Sequence, residues 1–268
     1  MGCQPSRQCG GVGYLPDGVY TPLLFTLILF AVANRMYAVD FASLWSDELW
    51  GMWVCSLGSW GALLEDMVFR DSHPPGYQSL LYLWLKFFGD SDVSVRLPSV
   101  IVGVVAVYSV CIFASRYFSR LVGLLAAAFL ATSFNAIYYS QEARAYSFIL
   151  LFAIWHFHLF FLLFVEESNN KVYLVLFSVV GALLAYFHYV GVVVVVCEMP
   201  LLLLVAAFRR QLSKAIRAYG GILLLYLPWF FVMIAHMLFP HESWERPVPD
   251  FSTLTQTIGF ILGPDVIR

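Results

Sequence analysis

The chain has 268 residues, of which 61% are apolar, 18% aromatic and only 12% charged, with a formal net charge of −2. Ordinary soluble domains are about 25% charged, and the mean hydropathy here is +0.79. This excludes a soluble globular enzyme, a disordered chain and a nucleic-acid binder. It leaves an all-α polytopic membrane protein, with apolar material for about seven spans of ~20 residues.

The N-terminal residues 1–20 are polar and Gly-rich, with Arg7 their one basic residue. The first apolar run, Pro22 to Val39, has no small-residue cleavage pattern after it and reads as a retained span. Residues 1–21 are then a cytoplasmic tail. Further runs occur at 97–115, 121–139, 146–165, 172–187, 190–207 and 219–239. They are continuous, not alternating, so helices and not a barrel are expected. The stretch 172–208 is too long for one span, and the break falls at Phe187-His188-Tyr189.

Basic residues set the direction. With the N-terminus inside, the inner loops are 116–120, 166–171 and 208–218. They hold Arg116, Arg120, Lys171, Arg209, Arg210, Lys214 and Arg217, against the two acids Glu166 and Glu167. The outward loops are 40–96, 140–145, 188–189 and 240–268. The first carries eight acids and three basic residues. Trp45, Trp50, Trp53 and Trp60 crowd into it, as expected at a headgroup interface. Two interfacial helices are expected near 47–57 and 60–69. A third apolar piece, Gly76 to Phe88, is short for a span and suits an interfacial or re-entrant helix.

The five cysteines, Cys3, Cys9, Cys55, Cys111 and Cys197, are odd in number and scattered. They form neither a disulfide framework nor a zinc motif. Other residue groups carry chemistry. Asp47-Glu48 offers a carboxylate pair at the membrane face, able to take a proton or hold a cation. The same pair also suits a helix start. Asp71 and His73, before Pro74-Pro75, place a carboxylate and an imidazole at a stiff bend. They are the candidate ligands of a divalent metal ion, or a polar turn. Tyr139-Ser140-Gln141-Glu142-Ala143-Arg144 wedges charges between two spans, where charge is costly and points to function. Arg144 can hold a phosphate with its fork, or close the turn with Glu142. His188 is either a ligand or an interfacial ring. Glu198, inside the sixth span, has no evident role.

The order of these motifs resembles the GT-C superfamily of polyprenyl-phosphate-sugar-dependent glycosyltransferases. It is most similar to the protein mannosyltransferase-like and RgtA/B/C/D-like branch. The likeness covers about residues 20–240, the seven-span core. Asp47-Glu48, Asp71/His73-Pro74-Pro75, Arg96-Leu97-Pro98-Ser99 and Tyr139 to Arg144 carry it. It implies an inverting membrane glycosyltransferase acting at the extracytoplasmic face. The donor would be a polyprenyl-phosphate-linked sugar and the acceptor a hydroxyl of a protein, glycan or lipid. Asp47 and Glu48 take the catalytic part. Tyr139, Gln141, Glu142, Arg144 and His188 take donor phosphate and sugar. A divalent metal at Asp71 and His73 is the one cofactor in view. The setting implied is the plasma membrane of a prokaryote. Family chains usually run longer, so 240–268 reads as an outward segment cut short. A lipid-linked-sugar transporter and a non-catalytic membrane subunit remain the alternatives.

Overall fold

A computed structural model describes residues 15–204 and 208–239. The expectations for Cys3 and Cys9, the first fourteen residues and the segment 240–268 lie outside them. The elements are α1 (Asp17–Met36), α2 (Ser46–Cys55), α3 (Trp60–Phe69), α4 (Gly76–Phe88), α5 (Asp92–Tyr117) and α6 (Arg120–Thr132). They continue with α7 (Phe134–Tyr138), α8 (Tyr146–Phe160), α9 (Lys171–Phe187), α10 (Tyr189–Leu204) and α11 (Phe208–Leu238). Among the described residues there is no strand. The all-helical membrane fold is as the sequence led one to expect.

Four segments are long and apolar enough to cross a bilayer: Asp17–Met36, Asp92–Tyr117, Tyr146–Val165 and Gln211–Leu238. Three shorter apolar helices fill the remaining expected positions, at Arg120–Thr132, Lys171–Phe187 and Tyr189–Pro200. Polar caps set the boundaries. Ser91 Oγ accepts from Ser94 N at 3.3 Å to start α5, and Ser119 Oγ from Val122 N at 3.3 Å to start α6. Asn170 Oδ1 accepts from Val172 N at 2.9 Å to start α9. Each satisfies an N–H that a helix start would leave open.

Three details differ from the expected spans. The run 121–139 is not one helix. It breaks at Ser133, which is extended (φ −62°, ψ 120°), and restarts as α7. The Thr132 hydroxyl donates back to Ala128 O at 2.9 Å, a bond that favours bending or ending a helix. Next, α8 finishes as a π-helical turn, Phe161–Val165. There Lys214 Nζ donates to Leu163 O at 3.2 Å and to Ser168 O at 2.9 Å, and Gln211 Nε2 to Phe164 O at 3.3 Å. Side chains of α11 thus take carbonyls that an α-helical ladder would have used. Finally, the basic segment 208–218 is not a loop. It forms the first turns of α11, whose 31 residues reach ~46 Å at 1.5 Å per residue. That exceeds the ~30 Å hydrocarbon layer, so the helix is long enough to carry its first turns beyond it.

The helices pack in a row, with α1 and α6 on α5, α5 on α8, α8 on α9, and α9 on α10 and α11. Apolar side chains such as Phe25, Phe129, Leu224 and Phe231 remain exposed on the outside, where lipid replaces protein as their solvent. Glu198 acquires a partner that the sequence did not single out. Its carboxylate lies 3.0 Å from His156 Nε2 on α8, with both side chains 0% exposed. The His156 ring stacks on Phe177 at 4.1 Å. A lone acid at this depth would be costly, and the pair reduces that cost.

Charge outside this pair gathers at the two ends. One end holds Arg116–Glu166 at 2.9 Å and Arg120–Asp17, with Lys214 close by. The other holds α2, α3, α4, α7 and the turns at 140–145 and 188. Three passes of chain separate Asp90 from Asn169. In a cysteine-free background, Asp90→Cys and Asn169→Cys should therefore label from opposite sides of a sealed membrane. Labelling from the same side would contradict this path of the chain.

Candidate active site

The site is built at the end where α2, α4 and α5 meet the turns 140–145 and 187–189. Its framework is Arg96, in the second turn of α5. The guanidinium makes five hydrogen bonds. Nε donates to Glu48 Oε1 at 3.0 Å and Nη2 to Glu48 Oε2 at 2.8 Å. Nη1 donates to Val39 O at 2.6 Å and Ala42 O at 2.9 Å, and Nη2 to Ser43 O at 3.4 Å. Arg96 is 4% and Glu48 1% exposed. Glu48 Oε1 also accepts from Ala143 N at 2.7 Å, and Oε2 from Trp45 N at 3.3 Å, closing the start of α2.

Neighbouring residues on a helix point ~100° apart. With Glu48 turned inward, Asp47 is left partly exposed, its side chain 32% accessible. Asp47 Oδ2 lies 3.2 Å from Arg144 Nη2, and Arg144 Nη1 donates to Asp47 O at 3.5 Å. The two adjacent acids therefore have different environments, one sealed and one open to chemistry. Arg144 is itself fixed from behind, since Ser99 Oγ donates to its carbonyl at 3.1 Å.

From Arg144 a cleft of about 300 Å³, mouth included, runs along His73, Tyr77, Gln78, Tyr146, Phe187 and His188. Pro74-Pro75 ends the chain's turn, and Gly76 opens α4 against the α9–α10 turn. A Cβ at Gly76 would collide with the Tyr186 carbonyl and the Phe187 ring. The absent side chain is what lets His73 and His188 approach, with ring centroids 5.5 Å apart. His188 Nδ1 accepts from Val190 N at 3.1 Å, so the neutral ring carries its proton on Nε2. Burial, with the charges of His73 and Arg144 alongside, pushes His188 down to about 4.

Asp71 is held from two sides. His73 N and Nδ1 reach its Oδ1 at 2.9 and 2.7 Å, and Trp50 Nε1 donates to Oδ2 at 3.0 Å. Burial raises this carboxyl, but the hydrogen bonds and charge of His73 and the Trp50 bond outweigh it and hold Asp71 below its usual range. Both oxygens are engaged within the protein. Among the described residues, no three His, Cys, Asp or Glu side chains converge as a metal shell would need. As arranged, Asp71 and His73 do not fit a metal ion. The carboxylate orients the imidazole.

The remaining expected residues divide. Gln141 Nε2 donates to Tyr37 O at 2.7 Å and to Arg35 O at 3.2 Å, closing the end of α1 away from the cleft. Glu142 is buried and bonded to the Tyr138 hydroxyl. Burial, opposed by that bond but helped by the charge of Glu48, raises its carboxyl. The Tyr139 ring packs on Tyr146 at 4.6 Å, one layer behind the cleft. Sequence reasoning missed Gln78, an uncharged residue in an apolar stretch. It read Arg96 only as part of a motif, because its partner lies 48 residues away.

Residues 72–236 match the family described as dolichyl-phosphate-mannose-protein mannosyltransferase. The protein is thus a membrane glycosyltransferase of the GT-C type. More narrowly, it belongs to the dolichyl-phosphate-mannose-protein mannosyltransferase family. No curated protein and no solved structure matches the chain. The family match takes in His73, Arg96, Arg144 and His188 but starts beyond Asp47 and Glu48. What ties those two acids to the matched segment is the bonding from Arg96, Ala143 and Arg144.

Two outcomes follow from this geometry. Arg96→Ala leaves Glu48 and three carbonyls without their buried partner. It should lower unfolding stability by about 3–5 kcal/mol, measured by denaturation in detergent. Separately, a histidine whose folded value lies below its unfolded value loses stability as pH falls. For His188 the window runs from 6.5 down to about 4. Thermal stability should drop across that window in the wild type and drop less in His188→Gln.

Proposed function

We propose that this protein moves a sugar from a polyprenyl-phosphate donor to a hydroxyl acceptor, with inversion, at the extracytoplasmic face. The observation that carries this reading is the Asp47–Arg144 pair, 3.2 Å apart, whose arginine borders a cleft lined by two histidines. Family membership supplies the reaction class. The concentration of basic residues at the far end of the bundle favours an outward site by the positive-inside rule. The setting in this reading is a prokaryotic plasma membrane.

In the reaction, the acceptor oxygen attacks the anomeric carbon while the bond from that carbon to the phosphate oxygen breaks. The acceptor proton passes to Asp47 as general base. Polyprenyl phosphate departs, and its charge is met by the Arg144 fork and by the His188 Nε2–H. Without donor, Arg144 is engaged by Asp47. An arriving phosphate competes for the same guanidinium and leaves Asp47 free to accept a proton. Glu48 has no such freedom, and its part is to hold α2 in place. Tyr146, backed by Tyr139, and Glu142 border the donor site. The prenyl chain lies along the apolar helix faces, and α2 to α4 cover the sugar against water.

Purified protein in nanodiscs, given polyprenyl-phosphate mannose and a hydroxyl acceptor, should release polyprenyl phosphate. Asp47→Asn should abolish transfer with expression unchanged; full activity in that variant would remove its role as base. Arg144→Ala should weaken donor binding by about 10- to 100-fold, the range for a lost charge-assisted bond. Unchanged affinity would remove the phosphate assignment.

A further inference from the structure

Gln78 is the one neutral amide bordering the cleft, and nothing in the reaction above uses it. It lies on α4, two residues beyond Gly76, and is 5% exposed. Its Oε1 is buried without a hydrogen-bond partner. A buried carbonyl oxygen in that state costs stability, by leaving water without a replacement contact. Its backbone is anchored, since Cys55 Sγ donates to the Gln78 carbonyl at 3.6 Å. The amide end lies against Gly51 of α2. A Cβ there would come within 3.1 Å of Nε2 and 3.2 Å of Oε1. Gly51 is four residues from Asp47, so both lie on the same face of α2. Thus α2 presents the acid and, one turn further, a notch that holds the amide beside the cleft.

We propose that the Gln78 side-chain amide reads a hydroxyl group of the donor's sugar. An amide both donates and accepts, which matches a hydroxyl in either role. Lodged against Gly51, one turn of α2 beyond Asp47, and bordering the same cleft as Arg144, it is set to meet the sugar while Arg144 meets the phosphate. A site that leaves such a group open until the ligand arrives rejects a sugar lacking the matching hydroxyl, because the amide then stays unpaired. The proposal rests on the polyprenyl-phosphate-sugar reading given above.

The test measures binding and transfer separately, on the full chain in nanodiscs. The probes are polyprenyl-phosphate mannose and each of its singly deoxygenated analogues. Wild type should bind one analogue about 10- to 100-fold more weakly than the parent. Gln78→Met, similar in volume, should bind the parent as weakly as that analogue and lose the discrimination at that position alone. Its thermal stability without donor should be equal to or above wild type, because an unpaired buried carbonyl oxygen has gone. Gly51→Ala, which presses on the amide, should shift binding in the same direction by a smaller factor. Discrimination unchanged in Gln78→Met would overturn the proposal, as would a fall in its stability accompanied by equal weakening toward every probe. Binding that follows the expected pattern without transfer would sustain Gln78's role and defeat the transferase reading. Transfer with discrimination untouched by Gln78→Met would do the reverse. Absence of binding by any probe would defeat both.

Discussion

The site depends on one desolvated guanidinium. Arg96 meets three kinds of partner at once: the Glu48 carboxylate, the carbonyls that follow α1, and through Glu48 the amide of Ala143. Lysine could not substitute, because a single ammonium cannot meet a carboxylate side-on while reaching three carbonyls in other directions. Burying such a pair is costly in itself, and it stabilises only when every remaining donor is used. Here all five guanidinium bonds are formed. What the arrangement provides is placement: α2 is locked in rotation, and that rotation leaves Asp47 and not Glu48 partly exposed beside Arg144.

Much of the fold could be read from the chain, for a simple reason. Lipid imposes its demand residue by residue, so continuous apolar runs mark spans without knowledge of their neighbours. The interfacial helices were legible too, from Asp47-Glu48 at one start, the crowding of Trp residues, and Pro74-Pro75 before another. Local breaks were not. The stop at Ser133 and the π-turn at Phe161–Val165 rest on a hydroxyl bond and on two side chains of a distant helix.

For the site, residue identities were visible and assignments were not. Asp47 and Glu48 are equivalent in sequence, and their division comes from Arg96. Gln141 stands in a charged motif, yet its amide closes α1. Asp71 and His73 resemble ligands by spacing, yet they satisfy each other and Trp50. Glu198 looked stray because His156 sits 42 residues earlier on another span. In each case the deciding partner is remote in sequence, and a motif records only its own half of the contact. Gln78 shows the opposite blindness. Its side-chain Oε1 has no hydrogen-bond partner, so no pattern of pairing could mark it.

The long separations also impose an order on how the molecule comes into being. Glu48 waits on Arg96, 48 residues later in the chain, and on Ala143, 95 residues later. At about 5–20 residues added per second, the first interval alone is roughly 2–10 s. During it the nascent α2 has a carboxylate, and the stretch between α1 and α2 a set of carbonyls, with no partner but water, so that segment must stay at the aqueous face. Insertion of α5 delivers the cation, and only the turn at 143 completes the enclosure. Asp47, though among the first site residues to be made, is among the last to be set in position.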